Sequence, residues 1–114
     1  GMAAGAICYI KGGDTDQIGH ACAMALKNLM GLVCDPVGGL VEVPCVKRNV
    51  GGAVNALAAA DMALAGIASH IPVDQVIDAM GEVGMKMDVS LRETSMGGVA
   101  TSPKGLEIAE RLGM

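Results

Sequence analysis

From Gly51 to Ser69 the chain reads Gly-Gly-Ala-Val-Asn-Ala-Leu-Ala-Ala-Ala-Asp-Met-Ala-Leu-Ala-Gly-Ile-Ala-Ser, and Asp61 is its only charge. A run so rich in Ala, Leu and Met is a strong helix former. A helix with almost no polar face has to be covered on most of its sides. The chain has 114 residues, one domain's worth of material, which leaves little to do the covering. The expectation is a partner surface, either the rest of a longer protein or a second copy. Asn55 and Asp61 interrupt the run, which falls short of the ~20 apolar residues of a membrane span. No membrane partner is expected.

The rest of the composition sharpens this. Hydrophobic residues make up 52% of the chain, yet there is no Phe, no Trp and one Tyr. Any core must be filled with Ala, Val, Leu, Ile and Met, and small side chains let backbones approach closely. Charged residues at 18% are too few for a solvated, disordered coil. The net charge is −4 and no basic run occurs, which argues against nucleic-acid binding. The start, Gly1 to Cys8, is apolar without the charged lead-in of a secretory signal. It reads as the last turns of a helix, and Gly1 ahead of Met2 fits a piece taken from a longer protein. A cytoplasmic origin is expected.

The order of signals predicts an all-α fold: a small bundle of four to five Ala/Leu/Met-rich helices in a single domain, residues 1–114. The first helix, Met2 to Ile10, stops at Lys11-Gly12-Gly13. Asp14 and Gln17 form a capping-box pattern that opens a second helix reaching Leu29 or Met30. Its apolar face is Ile18, Cys22, Ala25, Leu26 and Leu29. Gly31 to Asn49, with Pro36, Gly38, Gly39 and Pro44, predicts a long irregular connection, extended over Gly39–Pro44. Loops of that length inside a small domain are usually functional. The Gly51–Ser69 helix follows. Pro72 then opens a helix from Val73 to about Met87, with Val73, Val76, Ile77, Met80 and Val83 on one face. Ser102-Pro103 caps a last short helix ending at Leu112-Gly113. The methionines are expected as core filler.

Four cysteines carry the candidate chemistry. Cys8 and Cys22 sit on apolar helix faces and read as small core residues. Cys34 and Cys45 both lie in the irregular segment. Their spacing permits a disulfide, which a cytoplasmic setting disfavours. Zinc would want CxxC pairs or nearby histidines, and neither pattern is present. Two thiols with Lys47 and Arg48 beside them suit a soft metal or an anionic cluster, or else are unrelated loop residues. Two ligands do not complete an iron–sulfur site, which takes three or four cysteines.

The run Leu26-Lys27-Asn28-Leu29-Met30-Gly31-Leu32-Val33-Cys34-Asp35-Pro36-Val37-Gly38-Gly39-Leu40-Val41-Glu42-Val43-Pro44-Cys45-Val46-Lys47-Arg48-Asn49 resembles the bacterial iron–sulfur-dependent L-serine dehydratases. Leu91-Arg92-Glu93-Thr94, Gly97-Gly98 and Thr101-Ser102-Pro103-Lys104-Gly105 are similar to the same family's C-terminal region. The likeness runs from Met2 to the end and is to the C-terminal part of the α-chain or α-domain. It implies aconitase-like chemistry without pyridoxal phosphate. A four-iron four-sulfur cluster is held by three cysteines, and its open iron acts as a Lewis acid on the hydroxyl of L-serine. The products are pyruvate and ammonia. By position, Cys34 and Cys45 match two of the cluster cysteines. The third belongs to a Cys-Gln-x-Glu stretch upstream of this sequence, so the chain is expected to hold no stable cluster and show no activity alone. The resemblance also implies the rest of the α-region and a β-chain or β-domain as partners, and self-association through the chargeless helix is expected.

Other residues have two readings each. His20 and His70 are proton-carrier candidates, or packing and surface histidines. Arg92 is a candidate contact for the substrate carboxylate, or pairs with Glu93 or Asp88 at a helix end. Asp35 caps the next turn or touches iron. Asn49 anchors the cysteine loop or caps the next helix. Gly38-Gly39 and Gly97-Gly98 admit close backbone approach or are bare turns. The rival reading of the whole chain is a non-catalytic helical interaction module with incidental cysteines, distinguished by whether the two sulfurs converge in open space. A zinc-binding helical domain would need His20, His70, Cys8 or Cys22 as further ligands.

Overall fold

Small, helix-favouring residues broken by glycine and proline give five helices and no strand in the computed structural model, which describes residues 1–114. They are α1 (Met2–Ile10), α2 (Thr15–Leu29), α3 (Cys45–Leu64), α4 (Val73–Lys86) and α5 (Pro103–Arg111). Short 3-10 turns lie at Val37–Gly39, Val89–Leu91 and Gly98–Thr101. The all-α expectation holds. No helix is long and apolar enough to cross a membrane.

The chain divides into two compact units. The first is Gly1–Met30 with Gly51–Met85, and the second is Gly31–Val50 with Lys86–Met114.

In the first unit α1 packs on α2, and the buried residues form one cluster: Ala4, Cys8, Ala21, Met24, Ala25, Ala56, Ala59, Ala60 and Ala63. Alanine makes such a core work by letting helix backbones come close. Gly5 shows the closeness, since a Cβ there would lie 2.7 Å from Cys22 Sγ. The Asp14–Gln17 capping box is present on both sides, with Gln17 N–H donating to Asp14 Oδ1 at 2.8 Å and Asp14 N–H to Gln17 Oε1 at 3.0 Å. Asn55 bridges helices by donating to the carbonyl of Ala25 and accepting from Asn28.

The second unit is built differently. Only Val37, Ala100 and a few small or polar neighbours are buried, and side-chain to main-chain hydrogen bonds do much of the joining. Ser102 accepts from Gly105 N–H, so the expected Ser-Pro start of α5 is as read.

Several expectations need correction. Helix α3 begins at Cys45, not Gly51, and ends at Leu64. Pro44 acts as a helix-entry residue, its carbonyl accepting from Arg48 N–H, so it does not prolong an extended strand. The irregular segment is therefore Gly31–Pro44, and Gly39–Pro44 is largely turn. Asn49 lies inside the helix and caps nothing. On α3 the buried face is alanine, while Val46, Val50, Val54 and Leu57 are exposed along one side. In α2 burial centres on Ala21, Met24 and Ala25, and Leu29 is exposed. In α4 only Val76 of the expected face is buried, with Ile77 exposed. The methionines are not core filler as a class: Met24 is 6% exposed, but Met2 is 91% exposed, and Met85, Met96 and Met114 also face out. Alanines set the helix spacing, and Met24 is the one methionine in the buried cluster.

Candidate functional site

Cys34 and Cys45 both belong to the second unit. Cys34 is exposed in a short extended stretch whose main chain forms a single parallel bridge to Arg92. Its N–H donates to Leu91 O at 2.9 Å, and Glu93 N–H donates to Cys34 O at 2.8 Å. Cys45 is half-buried at the first turn of α3. All four cysteines are free thiols.

The residue after Cys34 organises the surroundings. Asp35 is 2% exposed, and both of its carboxylate oxygens are engaged. Arg48 Nη1 donates to Oδ1 at 2.5 Å, and the Val99 amide donates to Oδ2 at 2.7 Å. The same Arg48 nitrogen also donates to Val33 O at 3.0 Å. One guanidinium thus holds the residues on both sides of Cys34. Arg48 lies three residues beyond Cys45, on the same face of α3. Burial by itself would push the Asp35 pKa up, but the Val99 amide and the Arg48 guanidinium outweigh it and hold the carboxyl below its usual range. Gly98 is part of this packing. Its φ is +61°, and a Cβ there would overlap the Asp35 carboxylate. The Asp35 side chain is therefore neither a local turn cap nor, with both oxygens engaged, a free ligand.

Partial desolvation raises the Cys34 pKa, followed by the negative charge of Glu93, the Cys45 thiol and Asp35, while Arg48 opposes them. Beyond Cys34, Glu93 and Ser95 adopt left-handed backbone with φ of +63° and +57°. Such conformations in residues other than glycine persist only where surroundings enforce them. Here Ser95 Oγ donates to Pro36 O at 2.6 Å and Thr94 Oγ1 to Val89 O at 2.8 Å. Glu93, Thr94 and Ser95 line a cavity of about 440 Å³ with Gly38, Gly39 and Leu106.

Arg92 is exposed and is tied to Cys34 through its main chain. Its guanidinium contributes, after the Ser90 hydrogen bonds, to holding Asp88 below its usual pKa. His20 Nδ1 accepts from Ser69 N–H at 3.2 Å, a packing role inside the first unit. His70 is an exposed loop residue with φ +67°. Cys8 is buried in the alanine core and Cys22 is half-buried beside Gly5, also in the first unit. Burial, then Asp14 and Cys22, raises the Cys8 pKa. No group of three or more His, Cys, Asp and Glu side chains is gathered as a metal site.

Sequence reasoning saw Arg48 only as nearby positive charge and missed its grip on the Cys34 loop. The available signal was Pro44 as a helix-entry proline, which would have put Cys45 and Arg48 one turn apart on one helix.

The serine dehydratase alpha chain family matches residues 1–100, a span that holds Cys34, Cys45, Asp35, Arg48, Arg92 and Gly98. The chain belongs to this family. Over 112 residues it is 59% identical to a probable L-serine dehydratase, alpha chain, of Bacillus subtilis, covering 98% of this chain and 37% of that one. It is 57% identical to a probable L-serine dehydratase, alpha chain, of Latilactobacillus sakei, covering 94% of this chain and 51% of that one. It is 45% identical to the L-serine dehydratase of Streptomyces coelicolor, covering 89% of this chain and 22% of that one. The chain thus spans between about a third and a half of the two alpha chains, and less of the Streptomyces protein.

Proposed function

We propose that this chain is the cysteine-bearing part of an L-serine dehydratase α-chain, acting in the α,β-elimination of L-serine to pyruvate and ammonia. Cys34 and Cys45 hold a four-iron four-sulfur cluster together with a third cysteine outside residues 1–114. When bound, that group supplies a Lewis acid for the departing hydroxide, a poor leaving group by itself. The observation that carries this reading is that Arg48, on the helix that opens at Cys45, binds the carbonyl of the residue before Cys34 and the carboxylate of the residue after it. The donor set fits: two sulfurs suit iron. It is a partial set, consistent with family relatives that are two to three times longer.

The chain's own residues do the holding. The Arg92 bridge and the Asp35 contacts fix the Cys34 main chain, and α3 presents Cys45. Arg92, exposed at this bridge, is the candidate contact for the substrate carboxylate, whose geometry a guanidinium matches. The partners are L-serine, the rest of the α-region, and a β-chain or β-domain, in a cytoplasmic enzyme. The exposed Val46, Val50, Val54 and Leu57 stripe on α3 favours burial against one of those segments or a second copy. A monodisperse monomer in sedimentation would count against the second copy.

The test is anaerobic iron and sulfide loading of the full α-chain. Cluster uptake that is lost in C34S and in C45S is the expected result. Full uptake in both variants would sink the assignment of these two ligands.

A further inference from the structure

We propose that Asp35 and Arg48 are positioning residues that set the approach of the Cys34 and Cys45 sulfurs, so that a single soft centre can bridge them. The proposal rests on the reading of Cys34 and Cys45 as paired ligands. Arg48 Nη1 meets Val33 O at 3.0 Å and Asp35 Oδ1 at 2.5 Å, so it grips the chain on either side of Cys34. Its own backbone is one helical turn from Cys45, which makes α3 the rigid arm of the device. Asp35 is anchored from the other direction by the Val99 amide and closed in by Gly98. The Cys34 loop and the Cys45 helix are thereby tied through one ion pair whose carboxylate is buried. Residues that orient metal-binding side chains act in this way, and their loss lowers the affinity of the site.

A trivalent arsenical, phenylarsine oxide, reports the geometry without iron. Two As–S bonds form to the two thiols of one chain, and the oxide oxygen leaves as water with both thiol protons. The experiment uses the full α-chain, with peptide mapping to confirm the Cys34–Cys45 bridge. Each bridging rate is divided by the alkylation rate of Cys34 in the matching C45S background, which removes the effect of Arg48 charge on thiol reactivity. The expected result is a fall of about tenfold in the normalised rate for R48Q and for D35N, with partial recovery in R48K. Normalised rates equal to wild type in chains that keep their helical circular dichroism overturn the proposal. If R48Q does not fold, D35N and R48K decide by the same criterion.

Iron loading is measured in parallel and separates this proposal from the functional reading. Arg48-dependent bridging in a chain that takes up no cluster leaves the positioning role standing and removes the iron assignment. Normal cluster loading together with Arg48-independent bridging does the reverse.

Discussion

The two units of this chain are held by different physics. In the first, Ala56, Ala59, Ala60 and Ala63 of α3 join alanines of α1 and α2 in a tight apolar cluster. In the second, a buried carboxylate, a guanidinium, a serine hydroxyl and main-chain amides do the joining. Close alanine packing tolerates sequence drift poorly in size but needs no particular geometry from polar groups. A buried polar network is the reverse: it is costly if one partner is lost, and it specifies positions. Candidate chemistry lies in the polar unit, where Cys34 and Cys45 are, and the apolar unit contributes Cys8 and Cys22 as packing.

The contrast can be broken by substitution, in full α-chain followed by denaturant unfolding. The largest loss is expected for Arg48→Met, about 3 kcal/mol, because it leaves the Asp35 carboxylate buried with only the Val99 amide. A loss under about 1 kcal/mol would mean water reaches Asp35 and the polar unit is not closed. Ala60→Leu in the first unit should cost about 2 kcal/mol by overpacking, since Ala60 has no exposed surface. It should leave arsenical bridging of Cys34 and Cys45 intact; a change in bridging would show that the two units are coupled. Asp14→Ala should cost about 1 kcal/mol through loss of the capping box, again without effect on the bridging of Cys34 and Cys45. The smallest effect concerns Asp88, whose Ser90 hydrogen bonds and Arg92 neighbour depress its pKa. A depressed carboxyl stabilises at pH above its unfolded pKa and loses that contribution as pH falls through the lower folded value. Stability of the Asp88→Asn variant should therefore fall less steeply than wild type in that acid range, and an unchanged acid slope would count against the cap.

Much of the fold was legible. The Asp14–Gln17 capping box, the Gly12 stop, the Ser102-Pro103 start and the α4 span all rest on local signals, and all stand where their residues indicate. The entry to α3 was not legible, because Pro44 after a Gly- and Pro-rich run reads equally well as a strand breaker or a first-turn residue. Periodicity also misjudged burial. It marks which side of a helix is apolar, but the spacing set by small residues decides how much of a Met or Val can be enclosed. The cysteine pair was visible in sequence, yet its environment was not, since Asp35 and Val99 are 64 residues apart and meet only on folding.

By itself the sequence determined an all-α chain, its caps and stops, the pair of loop thiols, and a family resemblance carried by long matching runs. These are local properties: propensity, capping and covalent order act within a few residues. Only the tertiary structure decided that Arg48 holds both neighbours of Cys34, that Gly98 leaves room for the Asp35 carboxylate, and that alanine rather than methionine fills the core. Each of these depends on segments far apart in the chain, and the cost of burying a charge or a bulky side chain is known only once its neighbours are in place.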